Sequence, residues 1–117
     1  MDKARMKYIE DYYSGQDGLK YPCSNQVVRN IIFVYSFDDY VKTYMLKNKF
    51  QLVRTPNSNL GLYKDHEGNL WEMIKANPSC KGKRCYRAII DQRIDEKVIE
   101  QVIMPMLYNY CCGVKFI

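Results

Sequence analysis

The sequence contains few of the residues that catalysis most often requires. Among 117 residues there is one histidine, His66, and one tryptophan. His66 lies between Asp65 and Glu67 in a predicted turn, where a histidine is more often a solvated polar residue than a general base. The chain also lacks a phosphate-binding glycine loop and a dinucleotide-binding fingerprint. The sequence therefore favours a protein that is not an enzyme and that binds no cofactor.

Long hydrophobic runs are also missing. No apolar stretch approaches the length of about 18 residues that indicates a membrane-spanning helix. The first residues, Met1-Asp2-Lys3-Ala4-Arg5, lead into an amphipathic pattern and not into the apolar segment of a secretory signal. We therefore expect a cytoplasmic protein that does not contact a membrane.

The cysteines form no recognisable disulfide or zinc pattern. Their number is odd, two of them are adjacent, and adjacent cysteines rarely bridge each other without strain. The spacing of Cys80 and Cys85, with one distant histidine, matches no common zinc motif. We predict reduced thiols and no metal site. The five cysteines are Cys23, Cys80, Cys85, Cys111 and Cys112.

The densest apolar run, Ile31 to Tyr35, predicts a strand that is buried on both faces at the centre of a sheet. Ser36, with Asp39 three residues later, predicts the start of a helix that continues to about Lys49. Apolar residues at three-and-four spacing in this helix predict one buried stripe, while its lysines stay in solvent. The central strand and this helix begin a β-α-β-β-β unit.

The remaining patterns complete the order α-β-α-β-β-β-β-α-β. We predict a single α+β domain, with a mostly antiparallel sheet of five to six strands, two helices packed on the sheet and an N-terminal helix. Residues 1–24 form the N-terminal helix and its connection, and residues 25–117 form the core. The further predicted elements are an N-terminal helix from Asp2 to Tyr13, strands at Gln51–Thr55, Leu60–Lys64, Leu70–Lys75, Arg84–Ile90 and Val114–Ile117, and a helix from Asp95 to about Tyr108.

The last helix carries the widest apolar stripe in the chain. Asp91 or Asp95 is expected to cap it, and Pro105 is expected to bend or end it near its last turn. We place Val102 in the core and the helix on the same sheet face as the helix that follows the central strand. Glu72, on a predicted strand, is expected to need an ion-pair partner such as Arg54 or Arg87.

The stretch from Asp65 to Glu72 reads Asp-His-Glu-Gly-Asn-Leu-Trp-Glu. It resembles the turn-and-strand signature of the vicinal-oxygen-chelate (glyoxalase-like) superfamily, and the β-α-β-β-β order is similar to one module of that fold. The resemblance implies that Glu72 is a metal ligand and that the first strand carries a ligand histidine at about position 30. Asn30 occupies that position. The resemblance therefore implies a degenerate small-molecule-binding module.

One segment carries charge of a single sign, because no acidic residue lies between Glu72 and Asp91. Its potential suits an acidic protein surface or a phosphate backbone, although such runs are often only solvated loops. We predict that this segment, with nearby tyrosines, is the partner-binding surface. The predicted binding residues are Lys75, Lys81, Lys83, Arg84, Tyr86 and Arg87.

Tyrosine is abundant, with 11 residues, and four of them fall at Tyr8, Tyr12, Tyr13 and Tyr21. Exposed tyrosine together with arginine is typical of protein-binding surfaces. Aromatic and basic residues also suit single-stranded nucleic acid by stacking and phosphate contact. A composition rich in residues with AT-rich codons is common in accessory proteins of phages and mobile elements. We expect an interaction protein that modulates a host protein or nucleoprotein complex, with nucleic-acid binding as the alternative.

Overall fold

The computed structural model describes residues 1–14, 29–55, 60–78, 85–108 and 111–117, and these form one α+β domain around a six-stranded sheet. The element order agrees with the predicted one. The helical elements are α1 (Lys3–Ser14), α2 (Asp39–Lys47), α3 (Glu96–Val98), a π-helical stretch (Ile99–Ile103) and α4 (Met104–Leu107). The strands are β1 (Asn30–Val34), β2 (Gln51–Arg54), β3 (Leu60–Lys64), β4 (Leu70–Lys75), β5 (Arg87–Ile90) and β6 (Gly113–Phe116).

The sheet is mixed and not mostly antiparallel. Its strand order is β2-β3-β4-β1-β5-β6, in which β2, β3 and β4 pair antiparallel. The pairs β1 with β4, β1 with β5 and β5 with β6 are parallel. The physical reason is the connections: β5 and β6 are joined through a helical crossover, which returns the chain in the same direction. Strand β1 is interior and its apolar residues are buried, as predicted.

The helices lie on opposite faces of the sheet, so the prediction that they share one face is wrong. Strand β1 is apolar on both faces, and each face needs its own cover. Helix α2 buries Val41 and Met45 against Ile32 and Val34. On the other face, the helical segment 96–107, called the C-terminal helix, packs against the face of β1 that carries Ile31 and Phe33. Val102 of this helix is buried there, as predicted.

The C-terminal helix contains a wide turn before its proline. Asp95 caps its start by accepting a hydrogen bond from the Lys97 backbone N–H at 2.8 Å. The stretch Ile99–Ile103 is π-helical, and the Met104 N–H donates to the carbonyl of Ile99. Pro105, which has no N–H, follows directly, and the helix ends at Leu107. The helix thus ends two residues after the proline, as expected, and a π-helical stretch precedes the proline.

Helix α1 docks on the same face and covers the edge of the sheet at β6. Met6, Ile9 and Tyr13 are buried, whereas Tyr8 and Tyr12 are exposed. The Glu10 carboxylate accepts a hydrogen bond from the backbone N–H of Phe116 at 2.8 Å. A backbone donor at the edge strand is thus satisfied by a side chain of the first helix.

No helix among the described residues is long and apolar enough to cross a membrane. Several predicted features lie outside the described residues. They are the connection after α1 with Tyr21 and Cys23, the turn at Asn57-Ser58-Asn59, and the residues Cys80, Lys81, Lys83 and Arg84.

Candidate functional site

The carboxyl ends of β1 and β5 form a topological switch point. These neighbouring strands are parallel, yet the chain leaves β1 toward one sheet face and leaves β5 toward the other. In open sheets with helices on both faces, ligands bind in the crevice at such a point. Here the crevice is occupied by protein side chains, of which Asp91 is fully buried.

Arg93 neutralises Asp91 and links it to Asp38. Its Nη2 lies 2.8 Å from Asp91 Oδ2, and its Nη1 lies 2.8 Å from Asp38 Oδ2. The Asp91 carboxylate also accepts the backbone N–H of Tyr35 at 3.1 Å. Hydrogen bonding by Arg93 holds the pKa of Asp38 well below its usual range, and the two carboxylates raise the pKa of Arg93. We call these three residues the Arg93 cluster. Because most guanidinium donors are used internally, the cluster is a structural brace and not an open anion site.

The turn that resembles the glyoxalase-like signature is built around Asp65. Its carboxylate accepts hydrogen bonds from the Asn69 backbone N–H at 2.9 Å and from Trp71 Nε1 at 2.9 Å. Partial burial alone raises the pKa of Asp65, but these hydrogen bonds outweigh it and lower the pKa to about 2. Gly68 adopts a φ of +89°, as the tight turn requires. The motif therefore has a structural explanation.

Glu72 and Asn30 are both engaged in contacts within the sheet. Glu72 is half-buried and pairs with Arg29 at 3.4 Å, a partner that was not among those predicted. Asn30 donates to the Leu70 carbonyl and accepts from Arg87 Nε. Within the described parts of the chain, no group of three or more His, Cys, Asp and Glu residues is placed to hold a metal ion.

The structure does not bring the described residues of the predicted basic surface together. Lys75 pairs with Val34 and Arg87 pairs with Asn30, at opposite ends of β1. Four residues along a strand separate them by about 13 Å, in addition to the spacing across the sheet. The Arg87 guanidinium stacks over Trp71 at 5.4 Å, and a hydrogen bond with Cys112 raises the pKa of Tyr86. Lys75 is exposed, whereas Tyr86 and Arg87 are half-buried.

The described cysteines, Cys85, Cys111 and Cys112, are free thiols. Cys85 and Cys111 are buried, and burial raises the pKa of Cys111 to about 12 and that of Cys85 well above its ordinary value. Such thiols stay protonated at neutral pH and are poor nucleophiles.

An exposed apolar patch lies where α2 turns into β2. Leu46 is 69% exposed, and Leu52 and Val53 are each 53% exposed. A hydrogen bond from the Phe50 N–H to the Met45 carbonyl reverses the chain, so the end of α2 lies beside the start of β2. A β-bulge between Leu52 and Arg54 disturbs the pairing with β3 at Val53. We call these three exposed residues, Leu46, Leu52 and Val53, the α2–β2 patch; Leu52 pairs with Tyr63 and so lies on the α2 side of the sheet, and Val53 follows it at the bulge.

Three exposed cations lie close to these residues in the chain. Lys42 lies one helical turn before Leu46 on the same flank of α2, and Lys49 and Arg54 flank β2. All three side chains are exposed, and none forms an ion pair within the described residues. Lys49 has a φ of +61°, in the left-handed region that normally favours glycine. Exposed apolar side chains and unpaired cations therefore occur together where α2 turns into β2.

On the opposite flank of α2, a groove of about 500 Å³ lies between α2 and β6 and is open to solvent. Its side-chain lining includes aromatic rings, two lysines and one carboxylate. The lining residues are Asp39, Tyr40, Thr43, Tyr44, Lys47, Lys115, Phe116 and Ile117. We call this the α2–β6 groove.

Neither the patch nor the groove was predicted from the sequence. The spacing of Tyr40 and Tyr44 in α2 predicts that both are buried; Tyr44 is partly buried against the core, Tyr40 is 41% exposed, and both line the groove. Leu46 could have indicated the patch from the sequence, because it is an apolar residue between lysines on a helix flank that is otherwise polar. The groove gives no such signal, because α2 and β6 are distant in the chain.

Comparison with known proteins identifies no relative: no family model, no curated protein and no solved structure matches this chain.

Proposed function

We propose that the protein is a small non-enzymatic interaction domain, and that it binds an acidic segment of a partner protein through the α2–β2 patch. The observation that carries the proposal is the exposure of Leu46, Leu52 and Val53 in a segment that also exposes the cations Lys42, Lys49 and Arg54. Apolar surface with a polar rim is typical of protein-binding sites. The unpaired positive charges of Lys42 and Lys49 favour a partner segment with acidic residues on both sides of an apolar stripe.

The state of the potential nucleophiles supports a non-enzymatic role. Cys85 and Cys111 are buried thiols with raised pKa values. His66 is exposed in the turn and its Nε2 lies 3.7 Å from Glu67. Neither feature provides an activated nucleophile next to a base.

The experiment is a selection of random linear peptides displayed on phage against the purified protein. We expect the enriched peptides to be acidic and to carry apolar residues. Leu46→Glu should abolish their binding, because it places a charge in the patch and repels acidic peptides. Leu70→Glu is the matched control, since Leu70 is also about half exposed (52%) but lies outside the patch at the start of β4.

The charge requirement is tested in the same assay. Lys42→Glu with Lys49→Glu should remove binding, and Lys47→Glu on the opposite flank of α2 should not. Circular dichroism melts confirm that each variant folds. Peptides without an acidic excess, or equal binding by Leu46→Glu and the parent, would contradict the proposal.

The basic segment from Lys75 to Arg87 is a second candidate contact, and nucleic acid is its alternative ligand. If it contacts phosphates, affinity for a single-stranded oligonucleotide should fall with salt along a log–log slope close to the number of phosphates neutralised. The variant Lys81→Glu, Lys83→Glu, Arg84→Glu should lose that affinity. Binding that depends on this triple variant and ignores Leu46→Glu would replace the peptide proposal with the nucleic-acid alternative.

A further inference from the structure

The α2–β6 groove is independent of the α2–β2 patch, because the two lie on opposite flanks of α2. Its volume of about 500 Å³ falls within the range typical of small-molecule sites. One wall is the helix flank with Tyr40 and Tyr44, and the other is the last strand with Lys115 and Phe116.

The walls of the groove are held in place by contacts outside it. Arg93 stacks over the Tyr40 ring at 4.3 Å, and Gln92 Nε2 donates to the Tyr40 hydroxyl at 3.1 Å. Strand β6 is anchored by a hydrogen bond from the Ile117 N–H to the Ile90 carbonyl at 2.9 Å. Tyr44 is partly buried against the core, and its burial raises the pKa of the phenol. A ligand therefore meets aromatic surface that needs little reorganisation, which favours binding.

The charges of the groove are separated along its length. Lys47 and Lys115 are exposed and form no ion pair within the described residues. Asp39 lies eight residues before Lys47 on α2, which corresponds to about 12 Å along the helix axis. The groove therefore has aromatic walls, a positive region around the two lysines and a negative group at the other end.

From this arrangement we propose that the α2–β6 groove binds a small aromatic carboxylate. The ring stacks on the tyrosine wall, and the carboxylate lies at the end that carries Lys47, away from Asp39. A neutral or cationic compound of the same shape gains the apolar contacts and loses the charge-assisted contacts to lysine.

The test uses three probes of matched shape: 2-naphthoate, the neutral 2-naphthalenemethanol and the cationic 2-naphthylmethylammonium. Binding is followed by amide chemical shifts in ¹H–¹⁵N NMR spectra of the whole protein. We expect 2-naphthoate to bind about tenfold more tightly than the cation, with the largest shifts at Thr43, Lys47 and Lys115.

Lys47→Gln and Lys115→Gln should each weaken 2-naphthoate binding about threefold, and together about tenfold, as expected for partly exposed charge contacts. Lys42→Gln is the control on the other flank of α2 and should leave the affinity unchanged. Equal affinity for the three probes, shifts located at the α2–β2 patch, or no saturable shift with 2-naphthoate would each overturn the proposal. Peptide binding by the α2–β2 patch is measured separately, so one proposal can fail while the other holds.

Discussion

Arg93 joins two carboxylates that belong to different parts of the fold. Asp91 is fully buried at the end of β5, and Asp38 precedes the first residue of α2. Loss of Arg93 leaves the buried Asp91 without its main counter-charge. This single side chain therefore holds the ends of β1 and β5 and the start of α2 together.

We expect Arg93→Ala to lower the free energy of unfolding by about 3 kcal/mol, because it leaves the fully buried Asp91 carboxylate without its counter-charge. Urea unfolding followed by circular dichroism measures this. The control is Arg5→Ala, since the Arg5–Glu100 pair is exposed on both sides and should contribute less than about 1 kcal/mol. Similar losses in the two variants would show that the Arg93 cluster is not a brace.

Lys49 occupies a backbone conformation that a glycine adopts with less strain. It follows the C-cap residue Asn48, and its φ is +61°. The Lys49 N–H donates to the Leu46 carbonyl and the Phe50 N–H donates to the Met45 carbonyl, which is the Schellman pattern of helix ends.

Lys49→Gly should therefore raise the free energy of unfolding by about 0.5–1 kcal/mol. Lys42→Gly, inside the same helix, should lower it by about 1 kcal/mol. Thermal melts of both variants test this. If the lysine is kept for partner binding, the more stable Lys49→Gly protein should also bind the selected peptides more weakly.

At the scale of elements, the two edges of the sheet are protected from strand addition in different ways. The β2 edge is exposed along its whole length and disturbed by a bulge, which is one way of discouraging strand addition. The β6 edge is covered by α1, and Glu10 satisfies the Phe116 N–H. A helix and a side chain thus protect the edge that carries regular parallel pairing.

Glu10→Ala should lower the free energy of unfolding by about 1–2 kcal/mol, because it leaves the Phe116 N–H without its partner. Glu10→Gln should retain most of the stability, since its amide oxygen still accepts a hydrogen bond. Asp11→Ala is the neighbouring control, because the Asp11 pair with Lys7 is exposed. Sedimentation velocity should also detect association of Glu10→Ala at high concentration, and a strictly monomeric variant of unchanged stability would contradict this role of α1.

At the scale of the whole molecule, acid should remove stability through carboxylates that are hydrogen-bonded in the folded state. The folded pKa of Asp65 is about 2, below the ordinary value of 3.8. Its contribution is therefore complete above about pH 4 and is lost as the pH falls toward 2. Asp65→Asn should be less stable than the parent at neutral pH and should lose less stability on acidification. Urea unfolding across this pH range tests the expectation, with Glu67→Gln in the same turn as a control that behaves like the parent.

Local features of the fold were predictable from the sequence, and contacts between distant segments were not. The burial of β1 follows from its unbroken apolar run, and the bounds of β3 and β4 follow from the turn residues around Gly68. The parallel pairing of β5 and β6 depends on how a helix returns the chain. The apolar residues on both faces of β1 require two covering layers without indicating which helix supplies each. Asp91 was considered only as a helix cap, because nothing near it in the sequence shows that Arg93 and Asp38 surround it.

The docking of α1 on β6 also has a consequence for synthesis on the ribosome. Residues 3–14 leave the ribosome early, whereas the strand that they protect is the last described element to be made. At a synthesis rate of roughly 5–20 residues per second, the two are separated by about 5–20 seconds. During this interval Met6, Ile9 and Tyr13 have no β6 beside which to dock. The nascent helix then exposes its apolar side chains, and a chaperone could bind them until β6 has been synthesised.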